Sequence, residues 1–285
     1  MQRPVPRPLD DRTSSARDVL VVRAGRADHR PDRIAGEEPL AIRIAGPGQE
    51  PVDVAVTMRT PGDDADLAIG FLVSEGLVGS ADLPGIAVEV GDPVLVATPE
   101  NELLVHLARP FDPSAVPGRA FVVSASCGIC GKASLDDVAI RCGDLPPGPR
   151  VAAAVVAALP ERLRAGQVLF AQTGGLHAAG LFDAGGSLLA VREDVGRHNA
   201  VDKLVGRAAL AGELPLHDRV LVVSGRVSFE IVQKAAVAGI PVVVAVSAPT
   251  DLAVAAAERV GMTLVGFVRG GGFNVYAGEE RVILD

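Results

Sequence analysis

The segment SASCGICGKAS, residues 124–134, places two cysteines three positions apart, Cys127 and Cys130, among glycines and small side chains. A cysteine pair with this spacing can hold a metal ion, cycle between dithiol and disulfide, or carry a reactive sulfur atom. A structural zinc site needs about four ligands, and this pair with a distant Cys142 falls short within one chain. Lys132 lies close by and favours the thiolate, which is the nucleophilic form of cysteine.

The two remaining interpretations of the cysteine pair need different backbones. A thioredoxin-type pair begins a helix in a βαβ unit, where the helix dipole lowers the thiol pKa. Gly128 and Gly131 favour a flexible loop instead. A thiolate on such a loop can accept a sulfane sulfur as a persulfide and present it to an acceptor. A pair of cysteines that only packs in a core does not explain the neighbouring glycines.

A second group of polar residues lies where predicted elements of the second half begin or end. The helices predicted over 197–212 and 228–239 start next to four such residues: Arg197, His198, Ser224 and Arg226. Helix N-termini present unpaired N–H groups and the positive end of the helix dipole, which suits phosphate. Arg269 and GGGF (270–273) follow the last predicted strand, and arginine binds phosphate bidentately. GGGF alone is typical of a loop, but together these segments predict a crevice for a nucleotide-like anion.

Two further segments, TGGLHAA (173–179) and VREDVGRHNAVDK (191–203), are dense in polar residues within apolar elements. A single histidine such as His177 is more often a satisfied core residue than a functional one. Glu193 and Asp194 are either solvated or orient Arg197 and His198. The clustering, and not any single residue, indicates a site.

The apolar patterns predict the elements that position these residues. Residues 1–17 are polar and rich in proline and arginine, and we expect a disordered tail. Strand-like segments dominate 18–150 and predict a β-rich N-terminal domain that ends in the CGIC loop and the boundary CGDLPPGPR (142–150). The pattern of residues 151–285 predicts a helix, a two-stranded hairpin, and then alternating helices and strands. The fold class is therefore α/β, with a mixed sheet covered by helices on both faces.

The element order of 151–285 is similar to the cytidine-deaminase-like fold, and this likeness can be tested. Zinc deaminases carry H-x-E at one helix start and P-C-x-x-C at the next. Here the matching segments are HNA (198–200) and SGRVS (224–228), so the glutamate position is Ala200 and the cysteine positions are serines or their neighbours. One histidine cannot hold a zinc ion that takes three protein ligands, and we predict no metal site.

The composition limits the class of protein further. The net charge of −8 argues against nonspecific binding to nucleic acid, although it leaves room for a local basic pocket. No apolar run approaches the roughly 20 residues that span a bilayer, and the first residues lack the apolar core of a signal peptide. We expect a cytoplasmic protein, where thiols stay reduced.

Six motifs in a fixed order carry a resemblance to a known family. They are SASCGICG (124–131), TGGLHAAGLF (173–182), VREDVGRHNAVDK (191–203), VSGRVSFEIVQKAA (223–236), SAPTDLAV (247–254) and GFVRGGGFNVY (266–276). Together they resemble the formate dehydrogenase accessory sulfurtransferases (FdhD). The likeness runs from TMRTPGDDADLAIGFLVSEGL (57–77) to near the C-terminus.

The resemblance implies a sulfurtransferase. Such proteins take sulfur from a cysteine desulfurase as a persulfide and pass it to the metal centre of bis-molybdopterin guanine dinucleotide, the molybdenum cofactor of formate dehydrogenase. The family's cysteine pair corresponds to Cys127 and Cys130, with Cys127 expected to carry the persulfide. The family tends to form homodimers, which would provide two sites for a cofactor with two nucleotides.

The resemblance also implies cofactor-binding residues after the last predicted strand. These are Phe267, Val268, Arg269, Gly270, Gly271 and Gly272, and they would hold the guanine nucleotide portion, which GDP would mimic. Some relatives carry a second basic residue where this chain has glycine, so backbone N–H groups and Arg269 would take a larger share of the phosphate. The alternative function is a non-catalytic chaperone that binds the guanine dinucleotide cofactor and delivers it.

Overall fold

In the computed structural model, the described residues are 11–79, 81–91, 98–116, 121–123 and 145–284, so that Cys127, Cys130 and Cys142 lie outside them. The strands are β1 (Ser14–Arg23), β2 (Arg26–Ala35), β3 (Glu38–Ala45), β4 (Val52–Arg59), β5 (Ala87–Val90), β6 (Glu102–His106), β7 (Phe121–Val123), β8 (Val151–Ala152), β9 (His177–Phe182), β10 (Leu188–Asp194), β11 (Val220–Val223), β12 (Val242–Ala245), β13 (Thr263–Arg269), β14 (Gly272–Ala277) and β15 (Val282–Ile283). The α-helices in these ranges are α1 (Asp64–Ser74), α2 (Ala153–Gly166), α3 (Val168–Thr173), α4 (Arg197–Leu210), α5 (Phe229–Val237) and α6 (Asp251–Arg259).

A five-stranded mixed sheet organises the first half, with the strand order β5-β6-β3-β4-β7. Its central strand β3 alternates as expected for a sheet with one buried face, since Leu40, Ile42 and Ile44 are all buried. Strand β7 pairs in parallel with β4 and places Val123 opposite Thr57. Val123 is therefore the last described residue before the CGIC segment, and it lies at the end of β4 that leads to α1.

The N-terminal ribbon of β1 and β2 corrects one expectation. The tail was predicted to extend through residue 17, but β1 begins at Ser14, which pairs with Ala35. The pairing partner β2, RADHRPDRIA, is polar along most of its length and includes Pro31, so its sequence carries no alternation that would indicate a strand. The ribbon is set by pairing between the two strands and not by a local apolar pattern.

A six-stranded sheet organises the second half, with the order β10-β9-β11-β12-β13-β14. The central strands β11 (VLVV) and β12 (VVVA) are buried at every position, as is typical of parallel strands covered on both faces. The predicted fold class, mixed α/β with several sheets and flanking helices, is confirmed. The likeness to cytidine deaminases and the domain boundary at 142–150 stay predictions. None of the described helices is long and apolar enough to cross a membrane.

Helices α1 and α4 join the two halves at a contact between backbones. A Cβ atom added to Gly70 would lie 1.8 Å from the carbonyl oxygen of Asp202, and one added to Gly206 would lie 1.8 Å from that of Asp66. Glycine at both positions lets the helices approach more closely than any side chain would permit. One apolar cluster continues across this contact and includes Leu67 of α1. The two halves therefore share a core.

Candidate functional site

One edge of the six-stranded sheet collects the polar residues of the second half. Strands β11, β12 and β13 run parallel, so their C-terminal ends meet at this edge. Strand β9 runs antiparallel to β11, and β10 runs antiparallel to β9 with Asp194 opposite His177. The start of β9 and the end of β10 consequently reach the same edge. We call this edge, with the helix starts at Arg197 and Ser228, the crevice.

Arg197 and Arg226 place two positive charges in the crevice. Arg197 is the first residue of α4, and its Nε atom is buried without a hydrogen-bond partner in the part of the chain that the structure describes. Burial, and next the charge of Arg226, lowers the pKa of Arg197, while Glu230 partly offsets this repulsion. Arg226 itself is exposed. A pair of guanidinium groups that repel one another, with a buried N–H unused, favours an anion between them.

His198 forms a hydrogen-bonded chain with α5. Its Nε2 atom lies 2.9 Å from the hydroxyl oxygen of Ser228 and 3.8 Å from a carboxylate oxygen of Glu230. Burial, followed by the charges of Arg197 and Lys234, lowers the pKa of His198 to about 4. The ring is therefore neutral at pH 7. A neutral imidazole beside Arg197 adds hydrogen-bonding capacity without adding to the repulsion between Arg197 and Arg226.

His177 joins the crevice, although the sequence alone favours a core position for it. A Cβ atom added to Gly225 would lie 3.3 Å from Nδ1 of His177 and 3.6 Å from Cδ of Arg197, so the imidazole and the arginine flank this glycine. Burial and then the charge of Arg197 lower the pKa of His177, with Asp194 opposing them. The density of polar residues in TGGLHAA was the signal that could have identified it.

Ser224 has a structural role within the crevice. Its hydroxyl oxygen accepts a hydrogen bond of 2.9 Å from the N–H of Ala178, and its own N–H donates to the carbonyl of Ala178 at 3.0 Å. These bonds fasten the end of β11 to β9. Ser224 therefore orients the chain that leads to Arg226.

Asp194 and Glu193 are both held by hydrogen bonds from the protein, Asp194 in full burial and Glu193 in partial burial. Asp194 is completely buried, and its carboxylate accepts hydrogen bonds from the N–H groups of Thr60 and Gly196 and lies 2.8 Å from Nζ of Lys203. Because Gly196 precedes α4, these contacts fix the start of the helix that carries Arg197 and His198. Glu193 accepts two bonds from the first N–H groups of α3, so each acid orients a helix start.

The hairpin of β13 and β14 forms a second part of the same edge. Arg269 pairs with Gly272 across a two-residue turn in which Gly270 and Gly271 have φ angles of 57° and 79°. Positive φ at both central positions is typical of a tight hairpin turn and favours glycine. An open cleft of about 490 Å³ lies beside it, lined by Phe267, Arg269, Gly272, Phe273 and Asn274. The structure thus has a strand, β14, where the sequence indicated a loop.

The aromatic residue of this cleft is held in an unusual conformation. Phe267 has a φ angle of 55°, and the guanidinium of Arg269 lies 5.4 Å from the centre of its ring. The side chain of Val268 is 1 % exposed and belongs to the apolar core between the sheet and α2. Any contact of Val268 with a ligand would therefore come from its backbone.

The structure brings most of the predicted site residues to one sheet edge. Arg197, His198, Ser224 and Arg226 cluster at β9 to β11, and Phe267 to Gly272 lie two strands away, at β13 and its turn. Adjacent strands are about 4.8 Å apart, so two strand steps are roughly 10 Å, which a nucleotide can span. Cys127 and Cys130 fall outside the described ranges.

The fold and the arginine-lined crevice define a mixed α/β protein for which known relatives exist. The model of the FdhD/NarQ family matches residues 35–283. The chain is 51 % identical over 279 residues to the sulfur carrier protein FdhD of Streptomyces avermitilis, covering 96 % of this chain and 97 % of that protein. It is 48 % identical over 260 residues to the sulfur carrier protein FdhD of Mycobacterium tuberculosis, covering 89 % and 92 %.

A solved structure has the same architecture. It is a crystal structure from Desulfotalea psychrophila of a protein assigned as a formate dehydrogenase accessory protein, with a TM-score of 0.70 and 25 % identity. The likeness covers 95 % of this chain and 100 % of that one. The chain belongs to the FdhD/NarQ family.

Proposed function

We propose that this chain is a sulfurtransferase of formate dehydrogenase maturation, which accepts sulfur as a persulfide on Cys127 and transfers it to bis-molybdopterin guanine dinucleotide. The observation that carries the proposal is the 51 % identity, over 96 % of the chain, to a protein named as a sulfur carrier. Family membership over residues 35–283 includes the segment with Cys127 and Cys130. The sulfur donor in this proposal is a cysteine desulfurase, and formate dehydrogenase is the protein served.

The loading step is a thiolate exchange that needs no external oxidant. The Cys127 thiolate attacks the outer sulfur of the desulfurase persulfide, forming a new S–S bond while the original S–S bond breaks. The desulfurase cysteine leaves as a thiolate, and the outer sulfur remains on Cys127 as a persulfide. Cys130, three residues further along the chain, resolves, stabilises or shares this sulfur in the proposal. The neighbouring Lys132 favours the attacking thiolate.

The crevice supports recognition of an anionic nucleotide acceptor. Arg197 has a buried N–H without a partner in the described part of the chain, and the charge of Arg226, which precedes α5, is near enough to lower the pKa of Arg197. Such donors match phosphate oxygens, and the N-termini of α4 and α5 add the positive ends of their helix dipoles. The ring of Phe267 and the guanidinium of Arg269 line the cleft at β13, which suits the base and ribose of the same nucleotide. These residues fit the guanine nucleotide portion of the cofactor substrate.

Chain connectivity limits how far Cys127 can lie from the crevice. Val123 is paired with Thr57, and the Thr57 hydroxyl donates to the side-chain oxygen of Asn199 at 3.3 Å, next to His198. Cys127 follows Val123 by four residues, and a chain of four residues spans at most about 14 Å. This reach is compatible with delivery of sulfur to a substrate bound in the crevice.

The proposal includes a homodimer in the cytoplasm, where the thiols stay reduced and two copies would serve a cofactor with two nucleotides. The alternative is a non-catalytic chaperone that binds and delivers the guanine dinucleotide cofactor. The same crevice would support it. The two functions differ in whether a sulfur atom is covalently carried by the chain.

Covalent sulfur on the CGIC peptide is the expected result of incubation with a cysteine desulfurase and cysteine. Intact mass measurement should show a gain of about 32 Da, one sulfur atom, because the thiolate is the form of cysteine that attacks sulfane sulfur. The gain should be removed by dithiothreitol, and peptide mapping should place it on Cys127. A protein that binds GDP but never gains sulfur would contradict the relay and favour the chaperone.

Nucleotide binding should strengthen as the pH falls, through protonation of His177. Its pKa is below the ordinary value because of burial and then Arg197. A phosphate bound beside it would raise that pKa, so binding is favoured below the free and bound pKa values and weakens as the pH rises through them. We expect affinity for GDP to change about tenfold for each unit of this shift. Calorimetry from pH 5.5 to 8 in two buffers of different ionisation heat would measure the proton uptake.

The matched control is His177→Gln, which keeps a polar side chain but does not titrate. The terminal phosphate of GDP also titrates, near pH 6, and this variant isolates the contribution of the imidazole. Equal proton uptake by the variant and the natural protein would mean that His177 does not contact the phosphate.

A further inference from the structure

The side chain of Asn199 connects the crevice to the first half of the chain. Asn199 follows His198 in the first turn of α4 and is 6 % exposed. Its Nδ2 group donates to the carbonyl oxygen of Met58 at 2.8 Å and to a carboxylate oxygen of Asp194 at 3.0 Å. Its Oδ1 atom accepts from the hydroxyl of Thr57 at 3.3 Å. The amide thus binds the start of α4 on one side and two consecutive residues of β4 on the other.

Strand β4 carries this connection to the strand that precedes the cysteines. Thr57, which contacts Asn199, is also the residue opposite Val123 in the parallel pairing of β4 with β7. Asp194, the third partner, fixes Gly196 at the start of α4. One side chain therefore touches both the element that presents Arg197 and His198 and the strand that supports β7.

We propose that Asn199 is a positioning residue, which couples occupancy of the crevice to strand β4 and, through β4, to the strand that leads to Cys127. It contacts neither sulfur nor nucleotide in this proposal, which rests on the proposed function for its effect on sulfur transfer. When a nucleotide binds the first turn of α4, the Asn199 amide holds Thr57 and Met58 at a fixed distance from it. Loss of the amide uncouples the crevice from strand β4, while the arginines of the crevice and the cysteines of the CGIC segment both remain.

The surroundings of Asn199 indicate that its removal leaves the helix start in place. In an Asn199→Ala variant, Asp194 keeps Lys203 and the N–H groups of Thr60 and Gly196 as partners. Strand β4 keeps its pairing with β3 and β7. Thr57→Val is a second, milder variant, because it removes only the hydroxyl that donates to Oδ1. Val201→Ala, a core truncation in the same helix, is the control for general destabilisation.

Hydrogen exchange with and without GDP tests the coupling independently of sulfur chemistry. In the natural protein, GDP should slow amide exchange in peptides that cover 52–59 and 121–123 by at least about threefold. In Asn199→Ala this slowing should vanish while the affinity for GDP changes less than threefold, and in Thr57→Val it should be reduced. Val201→Ala should retain it. The same proteins are then compared for persulfide loading and for the rate of formate dehydrogenase activation.

We expect Asn199→Ala to load sulfur to the natural level and to activate formate dehydrogenase at least about tenfold more slowly. GDP-dependent protection of 52–59 that is equal in the variant and the natural protein overturns the proposal, and so does a natural protein whose exchange GDP does not change. An equal activation defect in Val201→Ala would reduce Asn199 to a structural role. Failure of the proposed function has a different signature, because sulfur loading is then absent from the natural protein while the exchange response to GDP persists.

Discussion

A Cys127→Ala variant is expected to lose at least about 100-fold of its ability to activate formate dehydrogenase, since a covalent relay has no substitute for its nucleophile. The variant should fold like the natural protein, because alanine replaces a side chain of similar size in a glycine-rich segment. It should also bind GDP with unchanged affinity, because the crevice is built from α4, α5 and the β13 hairpin. Activation is measured in cells or extracts that lack the natural protein, with circular dichroism as the check on folding.

The other cysteines provide matched controls for this prediction. Cys142→Ala removes a thiol of the same kind outside the CGIC pair and should leave activation unchanged. Cys130→Ala tests whether Cys130 assists Cys127 or carries sulfur itself. If Cys130 only assists, the variant still loads sulfur on Cys127 but transfers it more slowly. Full activation by Cys127→Ala would exclude the relay, and loss of activation only in Arg226→Ala would support the cofactor chaperone.

A Lys234→Met variant is expected to lose about 3–5 kcal/mol of stability, because it leaves a buried carboxylate without its positively charged partner. Nζ of Lys234 lies 2.8 Å from both carboxylate oxygens of Asp202, and the hydroxyl of Ser74 donates to the same carboxylate at 2.8 Å. Asp202 and Lys234 are 2 % and 5 % exposed. The free energy of unfolding is measured by urea denaturation. A solvent-accessible pair serves as the control, since Arg207→Met breaks the contact with Glu213 and should cost about 1 kcal/mol or less.

The loss in Lys234→Met should depend on pH in a defined direction. Burial raises the pKa of Asp202, and the charge of Lys234 opposes that rise. Without Lys234 the folded-state pKa rises further above the unfolded value, so the folded state binds more protons and stability falls as pH rises between the two values. The destabilisation should therefore be smaller at pH 4.5 than at pH 7.5. A double variant, Asp202→Leu with Lys234→Met, should recover much of the stability. A pH-independent loss would show that the pKa of Asp202 does not rise when Lys234 is removed, and that the instability has another cause.

Local patterns predicted most of the second half of the fold. The helix expected over 197–212 is Arg197–Leu210, and the strand expected over 241–247 is Val242–Ala245. The helix repeats its apolar positions with helical spacing over many residues, and the strand is a run of buried β-branched residues. Tertiary contacts rarely override either pattern. The six residues of α3 are too few to show a period. The sequences of strands β2 and β14 have no clear strand pattern. These strands form because they hydrogen-bond to β1 and β13.

The site was predictable where its residues begin or end a recognisable element. Arg197, His198 and Arg226 lie at helix starts, and the parallel sheet brings helix starts together by geometry alone. His177 could not be assigned in this way, because its place in the crevice depends on the antiparallel pairing of β9 with β11. The hydrogen bonds of Asn199 to β4 join residues 141 and 142 positions apart, and no pattern within a window shows them.

The paired glycines of α1 and α4 have a consequence for exchanging parts between members of the family. Gly70 and Gly206 each face the backbone of the opposite helix, so the contact is specified jointly by residues from both halves of the chain. A chimaera that joins one relative's first half to another's second half would fit only if both parents have glycine at these positions. Recombination between diverged genes is thereby restricted at a place remote from the cysteines and from the crevice.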